Sequence, residues 1–330
     1  MAARALASLL LALTVTPALA QEACPPLKQL ASIPMLRGRD GQNYLPVKIN
    51  DAARLLKLDT GGAVTSLFPE AVDELKLPIR RSEAALVDMN GNISNRSARV
   101  SIFDLGGITF SRTQDFMVLP SRNPGYANNK RAGNLALDLL KSYDLEMDFE
   151  ARRLNLFSPD HCPGRVVYWN ADAVAAIPIR LDSQGKPRVP VKLDGVELSA
   201  VIDTGAPTTI LNLSVGTRRL DLDLSAPDVR KFGASDNVVY RKRFQTLELA
   251  GLSIANPFVS IVPDKMGEGV RATGARFARS EERQPDLLIG SSILNRLHVY
   301  LATEEEMLYV SAAVPPSASA EPQPAQEGGT

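Results

Sequence analysis

The sequence predicts an all-β protein made of two homologous lobes, and three observations carry that prediction. The first is an internal repeat at a fixed, ungapped spacing of 144 residues. Ile33-Pro34 answers to Ile177-Pro178, Gly41 to Gly185, and Pro46-Val47-Lys48 to Pro190-Val191-Lys192. Asp59-Thr60-Gly61 answers to Asp203-Thr204-Gly205, Thr65 to Thr209, and Leu67 to Leu211. Shared composition does not preserve register in this way. The period far exceeds the ~20–50 residues of a solenoid repeat, so the repeating unit is a domain-sized lobe. The second observation is 22 Gly and 23 Pro with little long helical periodicity, the mark of strands and turns. The third is a 45% hydrophobic content over 330 residues, enough to fill two medium-sized cores.

Residues 1–20 stand apart. Arg4 gives a positive start, Leu6 to Val15 is apolar, and Ala18-Leu19-Ala20 ends the run with small residues. This pattern reads as a secretory signal peptide cut before Gln21. The apolar run is shorter than the ~20 residues of a membrane span, so no membrane span is expected. The chain is therefore expected to be exported, periplasmic or secreted. Export implies an oxidising compartment, and the two cysteines, Cys24 and Cys162, are expected to form one disulfide that pins the mature N-terminus to the end of the first lobe. With His161 and His298 they lack metal-ligand spacing, so no metal and no cofactor are expected. Lys+Arg and Asp+Glu both number 37, and zero net charge argues against a nucleic-acid partner.

The elements follow in order. Ile33 to Ile49 reads as two strands around a turn at Asp40-Gly41-Gln42-Asn43. Asn50-Asp51 is a second turn, and Arg54 to Leu58 a strand leading into Asp59. Pro69 to Leu75 reads as a short helix with proline in its first turn. Asn90-Gly91 signals a hairpin, because both residues tolerate positive φ. Arg99 to Phe110 alternates around Gly106-Gly107, and Phe116 to Leu119 is another strand. Leu145 to Phe149 and Arg153 to Phe157 read as strands joined by a turn, and Ser158 to Gly164 is a boundary by composition. The second lobe repeats the order: a hairpin, the Asp203 strand, a short helix, a strand pair within Val238 to Leu249, and Phe258 to Val262. Leu287 to Gly290 follows, then a closing pair, Leu297 to Ala302 and Met307 to Ser311. The predicted division is residues 21–164, residues 165–314, and a tail at 315–330 too poor in apolar residues to build a core. Tyr168 and Trp169 are expected to pack between the lobes, and His161 and His298 to be ordinary surface or strand residues.

Two carboxylates brought within hydrogen-bonding distance cannot both ionise. One takes a proton from water while the other protonates a carbonyl oxygen, which is general acid–base hydrolysis without a metal. The glycine after each Asp-Thr lets the backbone fold tightly enough to aim amides at the carboxylates. Each threonine is placed to hydrogen-bond across to the other loop.

With two Asp-Thr-Gly copies, each near the start of a lobe, and Leu288-Ile289-Gly290 late in the second, the chain resembles the aspartic protease superfamily over residues 30–312. Its lobes are short, as in retropepsin-like bacterial proteins rather than pepsin-like ones. The resemblance implies two β-barrel lobes of six to seven strands facing across a cleft. It implies a catalytic dyad of Asp59 and Asp203, supported by Thr60, Gly61, Thr204 and Gly205, with the Asn90-Gly91 hairpin as a flap and a less defined counterpart near Ser235-Asp236-Asn237. The implied activity is peptide-bond hydrolysis by an aspartic endopeptidase acting on peptides or proteins. Both halves of the dyad lie on one chain, so a monomer is expected. About a dozen residues separate Gln21 from Ile33, so no long inhibitory prosegment is expected. One departure is Ala136, in Asn134-Leu135-Ala136-Leu137-Asp138, where the superfamily usually has glycine. It is the sequence feature that favours the alternative, a non-catalytic binding or scaffold protein on the same fold. Gly62 and Ala206 lack the hydroxyl that often follows Asp-Thr-Gly, so the dyad is expected to hold its proton to weakly acidic or near-neutral pH.

Overall fold

The computed structural model describes residues 24–88, 91–110, 113–233, 238–264, 269–272 and 284–313. The expected signal peptide, the tail, Asn90 and Ser235-Asp236-Asn237 lie outside the described residues.

Alternation of buried and exposed side chains sets the strands. In Ala52–Leu58, Leu56 and Leu58 are fully buried, and Lys57 between them points to the opposite face of the sheet. The preceding turn has both Asn50 and Asp51 at positive φ, the conformation a two-residue hairpin requires. Asp194 and Gly195 repeat it in the second lobe.

The duplication holds strand for strand. In lobe one the sheet order runs Ile79–Val87, Ile93–Val100, Gln114–Val118, Ser66–Leu67, Arg131–Leu135, Ala52–Leu58, Asn43–Ile49, Phe103–Leu105, Ile108–Phe110. In lobe two the same path runs Arg230–Phe232, Val239–Arg243, Phe258–Val262, Thr209–Asn212, Leu287–Ile289, Val196–Ile202, Pro187–Leu193, Thr246–Leu249, Leu252–Ala255. A short helix follows the aspartate loop in each, Pro69–Glu74 and Leu213–Arg219.

A third sheet of six antiparallel strands joins the lobes, in the order Gln29–Pro34, Arg153–Phe157, Asp144–Asp148, Leu297–Ala302, Met307–Ala312, Ala175–Pro178. Its centre is a cross-lobe ladder that sets Met147 opposite Val299 and Asp148 opposite His298. The disulfide between Cys24 and Cys162 lies beside this joint, with Cα atoms 5.1 Å apart.

Three expectations need correction. Among the described residues the two lobe sheets hold 11 and 10 strands rather than six to seven, the first counting Gly269–Ala272 from lobe two, because several strands are two or three residues long and leave no periodic trace. The segments read as a pair within Val238 to Leu249 do not pair with each other: Val239–Arg243 pairs with Phe258–Val262, and Thr246–Leu249 with Leu252–Ala255. The strand pairs expected at the end of each half do form, Asp144–Asp148 with Arg153–Phe157 and Leu297–Ala302 with Met307–Ala312, and both lie in the joint sheet. His161 is neither a surface nor a strand residue but a buried group, bonded through Nε2 to Asp144 Oδ2 at 2.6 Å, whereas His298 is the expected strand residue, within Leu297–Ala302, and bonds Glu146 Oε1 at 2.7 Å. Their partners are remote in sequence, so the sequence shows no pairing. Trp169 stacks on His298 with ring centroids 4.1 Å apart and donates to Ser311 Oγ, and Tyr168 bonds Glu146, so both aromatic residues do pack at the joint.

A further strand, Gly269–Ala272, leaves lobe two and pairs antiparallel with the outer edge of lobe one's Ile79–Val87, aligning Gly269 with Val87 and Ala272 with Ala84.

Candidate active site

The two aspartates are delivered by the same device. Ala52–Leu58 runs parallel to Arg131–Leu135, and the Asp59 N–H donates to the Leu135 carbonyl at 2.9 Å. Val196–Ile202 runs parallel to Leu287–Ile289, and the Asp203 N–H donates to the Ile289 carbonyl at 3.0 Å. Each loop is thus pinned where it leaves its strand, and the two loops meet between the lobes.

Four hydrogen bonds lock the loops together. The Thr60 N–H donates to Thr204 Oγ1 at 3.0 Å, and the Thr204 N–H to Thr60 Oγ1 at 3.1 Å. The Thr60 hydroxyl donates to the Ile202 carbonyl at 2.6 Å, and the Thr204 hydroxyl to the Leu58 carbonyl at 2.9 Å. Both threonines are buried, so water does not compete for these bonds.

Glycine sets how closely the carboxyl groups approach the opposite loop. A Cβ at Gly61 would lie 2.2 Å from Asp203 Cγ, and one at Gly205 would lie 2.0 Å from Asp59 Oδ1. Each glycine therefore gives up its side-chain space to the aspartate of the other lobe. The Gly205 and Ala206 N–H groups donate to Asp203 Oδ1 at 2.9 and 3.1 Å. Burial and the negative charge of Asp59 push the Asp203 carboxyl up to about 6, against the pull of Lys57, Lys186 and the Gly205 amide.

The loops are braced from behind. In lobe two the Gly290 N–H donates to Thr209 Oγ1 at 3.2 Å, and a Cβ at Gly290 would collide with the Thr208 carbonyl at 2.3 Å. In lobe one the Ala136 N–H makes the equivalent bond to Thr65 Oγ1 at 3.1 Å. Asp138 takes the Thr65 N–H and hydroxyl, the latter at 2.6 Å. Lobe one thus accepts the Ala136 methyl, which is fully enclosed, without losing the brace.

The expected flap is the hairpin of Ile79–Val87 and Ile93–Val100, with Gly91 at φ +82° in its turn. The Asp88 carboxylate closes that turn on the Asn92 amide N–H at 2.9 Å. Its counterpart in lobe two is Arg230–Phe232 with Val239–Arg243.

Sequence reasoning missed one residue at the dyad. Lys57 Nζ lies 3.5 Å from Asp59 Oδ2 and donates to the Gly205 carbonyl at 3.0 Å. The available signal was its place two residues before the aspartate, on the same face of one strand; the repeat partner is Val201. A large cavity lies elsewhere, on lobe two, lined by Val189, Leu198, Arg219 and Asp286 among others, and neither dyad carboxylate lines it. Among the described residues, no group of three or more His, Cys, Asp or Glu could hold a metal ion, and no helix is long and apolar enough to cross a membrane.

A family model described as aspartyl protease matches the chain at residues 45–139 and 189–293, one stretch around each aspartate loop. A search of the curated proteins finds no match.

Proposed function

The chain belongs to the aspartyl protease family, and from that premise we propose that it is an aspartic endopeptidase whose dyad is Asp59 and Asp203. The observation that carries this reading is the mutual cradling of the two carboxyl groups, each set against the glycine of the opposite Asp-Thr-Gly loop and held there by the Thr60–Thr204 bonds. A pair held this way starts the cycle with one proton. Water adds to the scissile carbonyl, its proton passes to the ionised aspartate, and the protonated aspartate donates to the carbonyl oxygen. In the gem-diol that results, the C–N bond breaks as nitrogen takes the first proton. One diol hydroxyl returns its proton to the second aspartate, which restores the pair.

The substrate is a peptide or protein in extended form, entering beneath the 79–100 hairpin, with Gly91 near the tip of the flap. The chain acts as a monomer of two lobes, residues 21–164 and 165–314. The Cys24–Cys162 disulfide indicates a non-cytoplasmic setting. With the N-terminal pattern of residues 1–20, it supports export to the periplasm or the medium.

The test is hydrolysis of an unfolded protein by the wild type and by Asp59→Asn and Asp203→Asn, with and without a statine-type inhibitor. Each variant is expected to lose at least ~100-fold in kcat, the lower bound for removing one member of an acid–base pair, while melting like the wild type. A folded wild type that binds the unfolded chain and leaves it intact would establish a scaffold protein instead.

A further inference from the structure

The repeat makes the two aspartate loops alike, yet the strands that feed them differ at one position facing the dyad. Lobe two has Val201, fully buried. Lobe one has Lys57, whose ammonium lies 3.5 Å from Asp59 Oδ2. Its second contact, the Gly205 carbonyl at 3.0 Å, belongs to the opposite loop, so the charge is held from both lobes and set to one side of the pair. Asp59 itself is almost fully enclosed, which limits screening of this contact by water. The Asp203 Oδ1 is met by two backbone N–H groups.

The neighbouring elements do not cancel this asymmetry. The residues flanking Lys57 across the sheet are Tyr44 on one side and Asn134 on the other, both uncharged. The Asp138 carboxylate behind the loop is engaged by Thr65. Lys186, from the turn before Pro187–Leu193, adds positive potential at Asp203 and, like Lys57, opposes the effect of burial there.

We propose that Lys57 is a positioning residue that assigns the two roles of the dyad, holding Asp59 as the charged base and leaving the single proton on Asp203. The assignment rests on the endopeptidase reading for its consequence in turnover, but not for its effect on the dyad's titration. With Lys57 in place, Asp59 takes the proton from water and Asp203 protonates the carbonyl oxygen. Without the ammonium, the ionised state of the pair loses its nearest counter-charge and forms only at higher pH.

The experiment is a pH profile of kcat/KM for the wild type, Lys57→Gln, Lys57→Met and Lys57→Arg. Glutamine keeps a donor for the Gly205 carbonyl and removes the charge, so it separates charge from tethering. The expected result is an acid limb displaced upward by about one pH unit, the lower end of what one adjacent opposite charge supplies, in both Gln and Met variants. Arginine should restore the wild-type limb. The same displacement should appear in the 13C carboxyl titration of the dyad in aspartate-labelled protein, with resonances assigned through Asp59→Asn and Asp203→Asn. A Gln variant that melts like the wild type and keeps the wild-type limb and titration would overturn the proposal. If the folded wild type hydrolyses nothing, the endopeptidase reading fails by itself, and the carboxyl titration still decides the role of Lys57. If Lys57→Met does not fold, the Gln and Arg variants carry the comparison.

Discussion

Gly205 and Gly62 follow their aspartates at neighbouring positions and tolerate a methyl group very differently. A Cβ at Gly205 falls 2.0 Å from Asp59 Oδ1, whereas one at Gly62 comes no nearer than 3.1 Å to Asp59 Cγ. Gly205→Ala should therefore displace the opposite carboxylate, destabilise the fold by about 1–3 kcal/mol as overpacking does, and remove nearly all activity. Gly62→Ala should retain measurable turnover. Melting curves and kcat for the two variants check this, and equal activity would mean that the carboxyl groups are not positioned by these glycines. In the proposed dyad, Asp203, pushed up to about 6 by burial and by the charge of Asp59, would set the alkaline side of the working range. Activity requires the singly protonated pair, so kcat/KM should fall as pH rises through about 6; a rate still climbing at pH 8 would contradict it. That the two Asp-Thr-Gly loops belong together was legible in the sequence, because two copies of one tripeptide in one register are not explained by turn chemistry alone, and the Thr60–Thr204 bonds do join them. Lys57 was not, since a lysine in a strand ordinarily points to solvent, and only the fold sets this one against Asp59 and the Gly205 carbonyl.

Among the elements, the joint sheet carries charges that the sequence did not reveal. Burial pulls the His161 imidazolium down. The bonds to Asp144 and the Cys162 carbonyl, with the charges of Asp144 and Glu305, outweigh it, and its pKa is raised above the ordinary 6.5. Protonated His161 therefore contributes stability that is complete below about 6.5 and is lost as pH rises through the folded value. Glu146 works in the opposite direction. Burial pushes its carboxyl up, but hydrogen bonds from His298, Tyr168 and Asn155 bring it below the ordinary 4.5, so its contribution is present above that pH and lost as pH falls through the folded value. The joint should be most stable between about 4.5 and 6.5, the range in which the dyad is expected to hold its one proton. Thermal melts from pH 4 to 9 should show a decline on the alkaline side that His161→Asn flattens; an unchanged slope in that variant would remove His161 as the cause. These partnerships were illegible because Asp144 and Asp148 begin and end a strand whose sequence, Asp-Leu-Glu-Met-Asp, reads as a half-exposed edge rather than the middle of a sheet.

On the scale of the whole molecule, the sequence displayed the duplication but not how the copies are fastened. Register at a fixed spacing is a local property, visible wherever two residues match. The joint sheet depends on pairings such as Leu145 with Leu301 and Ile177 with Leu308, between segments that carry only generic strand signals. The same limit hid the strand Gly269–Ala272, which departs from the twofold plan altogether.

That strand has a consequence outside chemistry. A hairpin projecting from a lobe normally offers a row of unpaired amides and carbonyls, a template on which a second molecule can build. Here the row along Ile79–Val87 is already occupied, over Ala84 to Val87, by backbone from the other half of the same chain. Those four positions are therefore bonded within one molecule. Deleting residues 269–272 should leave a folded chain that forms concentration-dependent aggregates, read by light scattering, and a second copy's 79–87 edge is the surface on which such growth would begin.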